Sequence, residues 1–202
     1  MSTKPNNPVM IYTEQTPNPE SLKFVTNKVL YNGTADFRDS GYAEDWSPLA
    51  KELFDLPFVK GVYICNNFVT ITKGISYGWD DVMLKTKEFI KQYVSERKEI
   101  IKEGFSEFKE KLEEEKLLQS YSSDDVVLVK KINDLINTYV KPAVESDGGN
   151  IEFKSYDKGV VSVVLQGSCS GCPSSTVTLK AGIEGMLKRM VPEVTEVISE
   201  MG

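Results

Sequence analysis

Two cysteines three residues apart, Cys169 and Cys172, are the side chains whose type and spacing point most directly to chemistry. They stand in Leu165-Gln-Gly-Ser-Cys-Ser-Gly-Cys-Pro-Ser-Ser-Thr-Val-Thr-Leu179, where a valine-rich run ends and a helical pattern begins. Gly159 to Leu165 reads as a strand, and Pro173 followed by Ser174, Ser175 and Thr176 reads as a helix start, so both thiols fall on the turn between them. Proline at the first helical position loses nothing, because its missing N–H would have had no partner there. This puts Cys172 at or beside the N-cap. The unpaired N–H groups and the positive end of the helix dipole favour anionic sulfur, which lowers thiol pKa and prepares the pair as soft ligands or nucleophiles. Gly167 and Gly171, lacking Cβ atoms, let the backbone turn tightly and approach whatever the sulfurs hold. Glycine and serine crowd the loop, and the expectation is that nothing apolar is on hand to bury it.

Three classes of chemistry fit this arrangement. The thiolates can bind an iron–sulfur cluster; a cubane 4Fe-4S cluster needs four terminal ligands, so two chains would have to share one. The pair can be a redox dithiol of the thioredoxin kind, which also places Cys-x-x-Cys after a strand and at a helix start. Two chains can share a structural zinc through four cysteines. Position alone does not separate the three.

The remainder of the chain restricts the choice. It has 202 residues, a formal charge of -6 and no histidine. The absence of imidazole removes the commonest general base, the Ser/His and Cys/His nucleophile systems, and every zinc site that needs a histidine. The acidic balance argues against nucleic acid and anionic membranes as partners. Three cysteines, with no secretory segment, no arginine-rich transit segment and no long apolar span, imply a reducing, cytoplasmic location. Cys65, remote in sequence from the pair, reads as a small core or edge residue.

The elements that must position the pair follow from pattern. Residues 1–8 read as a disordered tail. Over 9–95 the order is roughly ββαββα: strands at Val9 to Thr13 and Leu22 to Val25 flank the turn Thr16-Pro-Asn-Pro19. Ser47-Pro48 caps a short helix that ends at Pro57. Gly61 to Ile64 and Phe68 to Thr72 form a hairpin about Asn66-Asn67, and a helix begins at Trp79. Residues 96–125 are dense in charge of both signs and read as a linker capable of a solvated helix. Over 126–202 the order is αββαβ. A helix carries Val126, Val129, Ile132, Leu135, Ile136 and Tyr139 on one face and is bent or restarted at Pro142. Glu145-Ser-Asp-Gly-Gly149 then supplies a turn, with glycine for the left-handed C-cap, before a strand at Ile151 to Tyr156. Lys158-Gly159 turns the chain into the strand that leads to the cysteines. The helix after them, with Met186 and Met190 on its core face, ends at Pro192, and Val194 to Ile198 is a last strand. The fold class is α+β, as two small domains joined by a charged linker.

The run Tyr139-Val-Lys-Pro-Ala-Val-Glu-Ser-Asp-Gly-Gly-Asn-Ile151, with Gly167-Ser-Cys-Ser-Gly-Cys-Pro-Ser-Ser-Thr-Val-Thr-Leu179 and Ile183-Glu-Gly-Met-Leu, resembles the C-terminal domain of NifU and the Nfu-type iron–sulfur carriers. The N-terminal half resembles the domain that precedes it in many Nfu proteins, through Thr16-Pro-Asn-Pro, Leu22-Lys-Phe24, Ser47-Pro-Leu-Ala50 and Gly61-Val with Phe68-Val-Thr-Ile-Thr-Lys73. The resemblance implies a scaffold or carrier rather than an enzyme. It implies a 4Fe-4S cluster held by Cys169 and Cys172 of two subunits, a homodimer when loaded, and delivery of the cluster to client apoproteins. It further implies that the N-terminal domain helps recognise donors or clients. With no pyridoxal-type lysine motif and no nucleotide loop, the chain cannot mobilise sulfur itself, so an upstream donor must supply the cluster.

Overall fold

The computed structural model describes residues 8–120, 123–169 and 173–201, with side chains left aside at 113–114, 116–120, 123–124, 173–176 and 201. The chain divides into two compact units, one of Met1–Gln15 and Glu20–Lys102, the other of Glu103–Gly202 together with the short segment Thr16–Pro19.

In the N-terminal unit, β1 (Ile11–Gln15), β2 (Ser21–Thr26), β3 (Tyr31–Phe37), β4 (Val59–Asn66) and β5 (Phe68–Lys73) form one sheet in the order β1-β2-β5-β4-β3. Every neighbouring pair is antiparallel. Three helices accompany it: α1 (Ser40–Trp46), α2 (Pro48–Phe54) and α3 (Trp79–Ser95). Ser47 caps α2 as its sequence requires, its hydroxyl accepting from the Ala50 N–H at 3.1 Å while donating to the Ile100 carbonyl at 2.7 Å. Asn66 takes the positive φ of 46° that closes the β4–β5 hairpin, a conformation asparagine tolerates better than most residues. Leu22, Phe24, Leu49, Leu53, Ile64, Ile71 and Ile90 are fully buried and fill the core.

The α+β class holds, but this unit runs βββααββα rather than ββαββα. The additional strand β3 reads Tyr-Asn-Gly-Thr-Ala-Asp-Phe, poor in the residues that favour strands, and it is an edge strand paired only to β4 with a register shift between Tyr31 and Thr34. Pairing, not propensity, makes it a strand. The additional helix α1 buries only Ala43 and is fixed by Asp39, whose carboxylate accepts from the Tyr42 N–H at 2.8 Å. Seven residues with one buried position carry no periodic stripe to detect.

In the second unit, α4 (Phe105–Ser120) lies within the charged stretch and is followed by α5 (Ser123–Leu135), a π-helical turn at Ile136–Val140 and α6 (Lys141–Ser146). The π turn ends two residues before Pro142, whose missing N–H and ring cannot fit a regular α-helical turn; the chain widens and then restarts as a helix. Strands β6 (Gly149–Asp157), β7 (Val160–Gly167) and β8 (Glu196–Met201) form a sheet in that order. The β6–β7 hairpin turns through Lys158 and Gly159, both at positive φ. Strand β8 is parallel to β7, which obliges the chain to cross over, and α7 (Pro173–Met190) is that crossover. Ile132, Ile136, Ile151, Val161, Leu187 and Val197 are fully buried in the core that the helices and this sheet share. Glu184 of α7 accepts from the Val197 N–H at 3.1 Å, tying helix to strand. The Lys188 ammonium, and then this N–H, hold its carboxyl below the ordinary glutamate range.

One titration reports directly on the N-terminal core. Tyr93 is buried on α3 and donates its hydroxyl to the Glu99 carbonyl at 2.8 Å. Burial, with Glu52 and Glu99 nearby, raises its pKa from 10.0 to about 12. The neutral phenol is therefore favoured in the folded state, and its contribution is complete below pH 10 and is lost as pH climbs to about 12. In chemical unfolding at a series of pH values across that window, the wild type should lose stability more steeply than Tyr93→Phe. Parallel pH dependences in the two proteins would show that the phenol is not held neutral by the fold.

Candidate cluster-binding loop

The cysteine loop sits at the end of β7, at the junction with the crossover helix α7. Strand β7 is the central strand of the three, and its last residues, Gln166 and Gly167, pair with Asn150 and Gly149 of β6. Gly167, its last residue, is at φ 63°, a left-handed conformation that glycine adopts without penalty and that turns the chain away from the sheet. Ser168 and Cys169 follow.

Cys169 is 4% exposed and belongs to the core cluster that includes Ile151, Leu165 and Ile183. The expectation that nothing apolar would bury the loop is corrected at this residue. The reason is Gly149, the first residue of β6 and the register partner of Gly167. A Cβ on Gly149 would lie 2.7 Å from the Gln166 carbonyl oxygen, 2.8 Å from the Cys169 sulfur and 3.1 Å from the Cys169 amide nitrogen. Only a glycine leaves the space into which the sulfur folds.

Two further contacts bind the Asp147-Gly148-Gly149 turn to the loop. The Ser168 hydroxyl donates to the Asp147 carbonyl at 2.6 Å, and the Ser168 N–H donates to the Gly148 carbonyl at 3.3 Å. Of the two glycines expected to end this helix, Gly148 takes the left-handed form, at φ 80°. The Ser168 oxygen also lies 3.8 Å from the Cys169 sulfur. The paired glycines are thus more than a turn: their backbone is one wall of the thiol pocket.

Beside this wall is a partly buried polar network. Asn150 donates to Gln166 at 2.8 Å and to Glu152 at 3.2 Å; Gln166 donates to Glu152 at 3.0 Å, and Lys109 of α4 pairs with Glu152 at 3.0 Å. The Asn150 carbonyl oxygen, in a fully buried residue, has no hydrogen-bond partner among the described residues. The network ties β6 to β7 next to the Gly149–Gly167 pair. Sequence reading missed Ser168, Asn150, Glu152 and Gln166 as parts of the site. The only signal was their closeness in the chain to the glycines and to Cys169.

Cys172, expected as the second ligand, lies outside the described residues. Among the described residues, no three or more histidine, cysteine, aspartate or glutamate side chains gather as a metal site. Cys65 belongs to the other unit, on β4, where it is buried with Val25, Tyr63 and Phe68 and accepts from the Asn66 amide at 3.3 Å. It is the small core residue its sequence suggested.

Comparison with known proteins identifies both units. The model "NifU-like domain" matches residues 132–198, and "Scaffold protein Nfu/NifU N terminal" matches residues 11–97. NifU-like protein 5, mitochondrial, of Arabidopsis thaliana is 38% identical over 199 residues, covering 95% of this chain and 68% of the plant protein. The chain belongs to the Nfu family. The NFU1 iron-sulfur cluster scaffold homolog, mitochondrial, of Drosophila persimilis is 40% identical over 191 residues, 94% of this chain and 64% of the fly protein. The chain therefore spans about two thirds of the length of these curated relatives. A solution structure of a NifU-like protein from Saccharomyces cerevisiae is 21% identical, with a TM-score of 0.44 over 51% of this chain and 92% of that one. The cytoplasmic placement expected from the sequence is overturned, because relatives along nearly the whole chain are named as mitochondrial. Few cysteines report a thiol-reducing compartment, and that criterion does not separate the cytoplasm from another reducing compartment.

The wall formed by Gly149 is open to test. Gly149→Ala should cost about 1–3 kcal/mol through overpacking, measured by urea unfolding of the full chain. It should also speed alkylation of Cys169 in the folded protein, because the sulfur is pushed from its pocket. An alanine variant with wild-type stability and thiol reactivity would show that the contact does not constrain the sulfur.

Proposed function

We propose that this protein is an iron–sulfur cluster scaffold and carrier. Its cargo is a 4Fe-4S cluster held by Cys169 and Cys172 of two copies of the chain, received from an upstream donor and passed to client apoproteins. The observation that carries the reading is the place of Cys169 at the β7–α7 junction, packed against a glycine wall that no other residue could form. The name of the fly relative as an iron-sulfur cluster scaffold supports it.

Donor arithmetic supports sharing. The chain has three cysteines and no histidine, and Cys65 is committed to the β4 core, which leaves two thiols for a cluster that needs four terminal ligands. A two-fold dimer with the loops facing supplies the other pair. Transfer is then an exchange of ligands: each iron–thiolate bond to this protein that breaks is replaced by one to a client thiolate, with no net oxidation or reduction. Ser168, Gly148 and Gly149 set the starting position of the sulfur, and Cys169 must leave its buried pocket to meet a second chain. Such a loop holds its cargo at an interface from which it can be taken. That is the requirement on a carrier, and it differs from the fully enclosed ligation suited to permanent electron transfer.

Cys169→Ser and Cys172→Ser should each abolish stable cluster binding, read from the visible absorption and iron content of anaerobically reconstituted protein. Cys65→Ser should bind as wild type. Equal loss in Cys65→Ser would remove the assignment.

A further inference from the structure

The N-terminal unit carries a surface groove of about 500 Å³ between the β2–β3 turn and the end of α3. Its floor is apolar, formed by Val9, Leu30, Val94 and Ile100. Three cations border it, Lys28, Arg97 and Lys98, and none of the ten lining residues is acidic, in a chain whose net charge is -6. Lys98 is shared with Glu96 at 3.1 Å and Glu52 at 3.7 Å. Lys28 and Arg97 form no ion pair among the described residues.

Both walls are fixed before anything binds. Asn27 receives the Met10 N–H at 2.9 Å and donates to the Pro8 carbonyl at 3.0 Å, and the Thr26 hydroxyl accepts the Lys28 N–H at 3.1 Å. On the other side the Arg97 N–H closes on the Val94 carbonyl at 3.1 Å, and the Ile100 carbonyl is held by Ser47. Arg97 occupies the position after the C-cap of α3 at φ 56°, where glycine is the usual residue. An arginine there accepts backbone strain that a glycine would avoid, and it sets a cation on the rim.

We propose that this groove is a docking site for an acidic peptide segment of a partner protein, one that sets an apolar side chain on the floor between carboxylates facing Lys28 and Arg97. This rests on the carrier reading and assigns the recognition step to the N-terminal unit. Charge selects this occupant over the chain's own residues 1–7, which contain Lys4 and no acidic residue.

The test is fluorescence anisotropy on the full iron-free chain with two labelled probe peptides, one alternating leucine with glutamate and the other alternating leucine with lysine. The acidic probe should bind, with affinity that falls as salt rises, and the basic probe should not. Lys28→Glu combined with Arg97→Gly should weaken binding by about tenfold or more, while Arg97→Lys retains it. Glycine suits the left-handed backbone at position 97, so loss in that variant is not loss of fold. Equal binding of the two probes, or wild-type binding by the double variant, would overturn the proposal. So would binding that appears only after residues 1–7 are removed, which would make that segment the occupant. No iron enters the experiment, so its failure leaves the cysteine assignment standing, and failure of the cysteine variants leaves this result standing.

Discussion

The C-terminal unit depends on the absence of one side chain. Gly149 lets the Cys169 sulfur fold against the backbone of β6, and any Cβ there would meet the sulfur at 2.8 Å. From that contact the rest follows. The chain must reach Gly149 through a left-handed Gly148, and Ser168 must clasp the Asp147 carbonyl to hold the two turns together. Asn150, Gln166 and Glu152 lock the strands beside them. The sulfur's position is set by backbone and glycine packing rather than by a bulky neighbour.

Topology explains why the loop stands where it does. A parallel β7–β8 pair requires a crossover helix, and the segment that leaves the central strand to enter that helix collects a helix N-terminus, a glycine turn and two cysteines in a few residues. The same economy appears in the N-terminal unit at Ser47, where one hydroxyl caps α2 and holds the Ile100 carbonyl. Buried charge is managed there too: Lys73, with its side chain 6% exposed, is paired to Glu20 at 2.7 Å. Removing Glu20 would leave the buried Lys73 charge without this carboxylate.

Elements with strong local chemistry were legible from the chain. Ser47-Pro48, Trp79, Lys158-Gly159 and Pro192 each mark a boundary by a cap, a turn or a missing donor, and the structure places boundaries at or near each of them. What was not legible depends on contacts remote in sequence. Strand β3 exists because β4 offers it an edge, and α1 exists because Asp39 caps it; neither has a periodic stripe. At the site, the sequence exposes Cys169 and its neighbouring glycines but not its burial. That comes from the pairing of Gly149 with Gly167, eighteen residues along, which no local pattern encodes.

The measurement that bears most directly on this account is anaerobic reconstitution with iron and sulfide, with both quantified per chain and the solution mass read on the same sample. One cluster shared by two chains predicts about two irons and two sulfides per chain in a dimer. A monomer that retains about four irons, or a chain that takes up no cluster while Cys169 and Cys172 cycle reversibly as a disulfide, would contradict it.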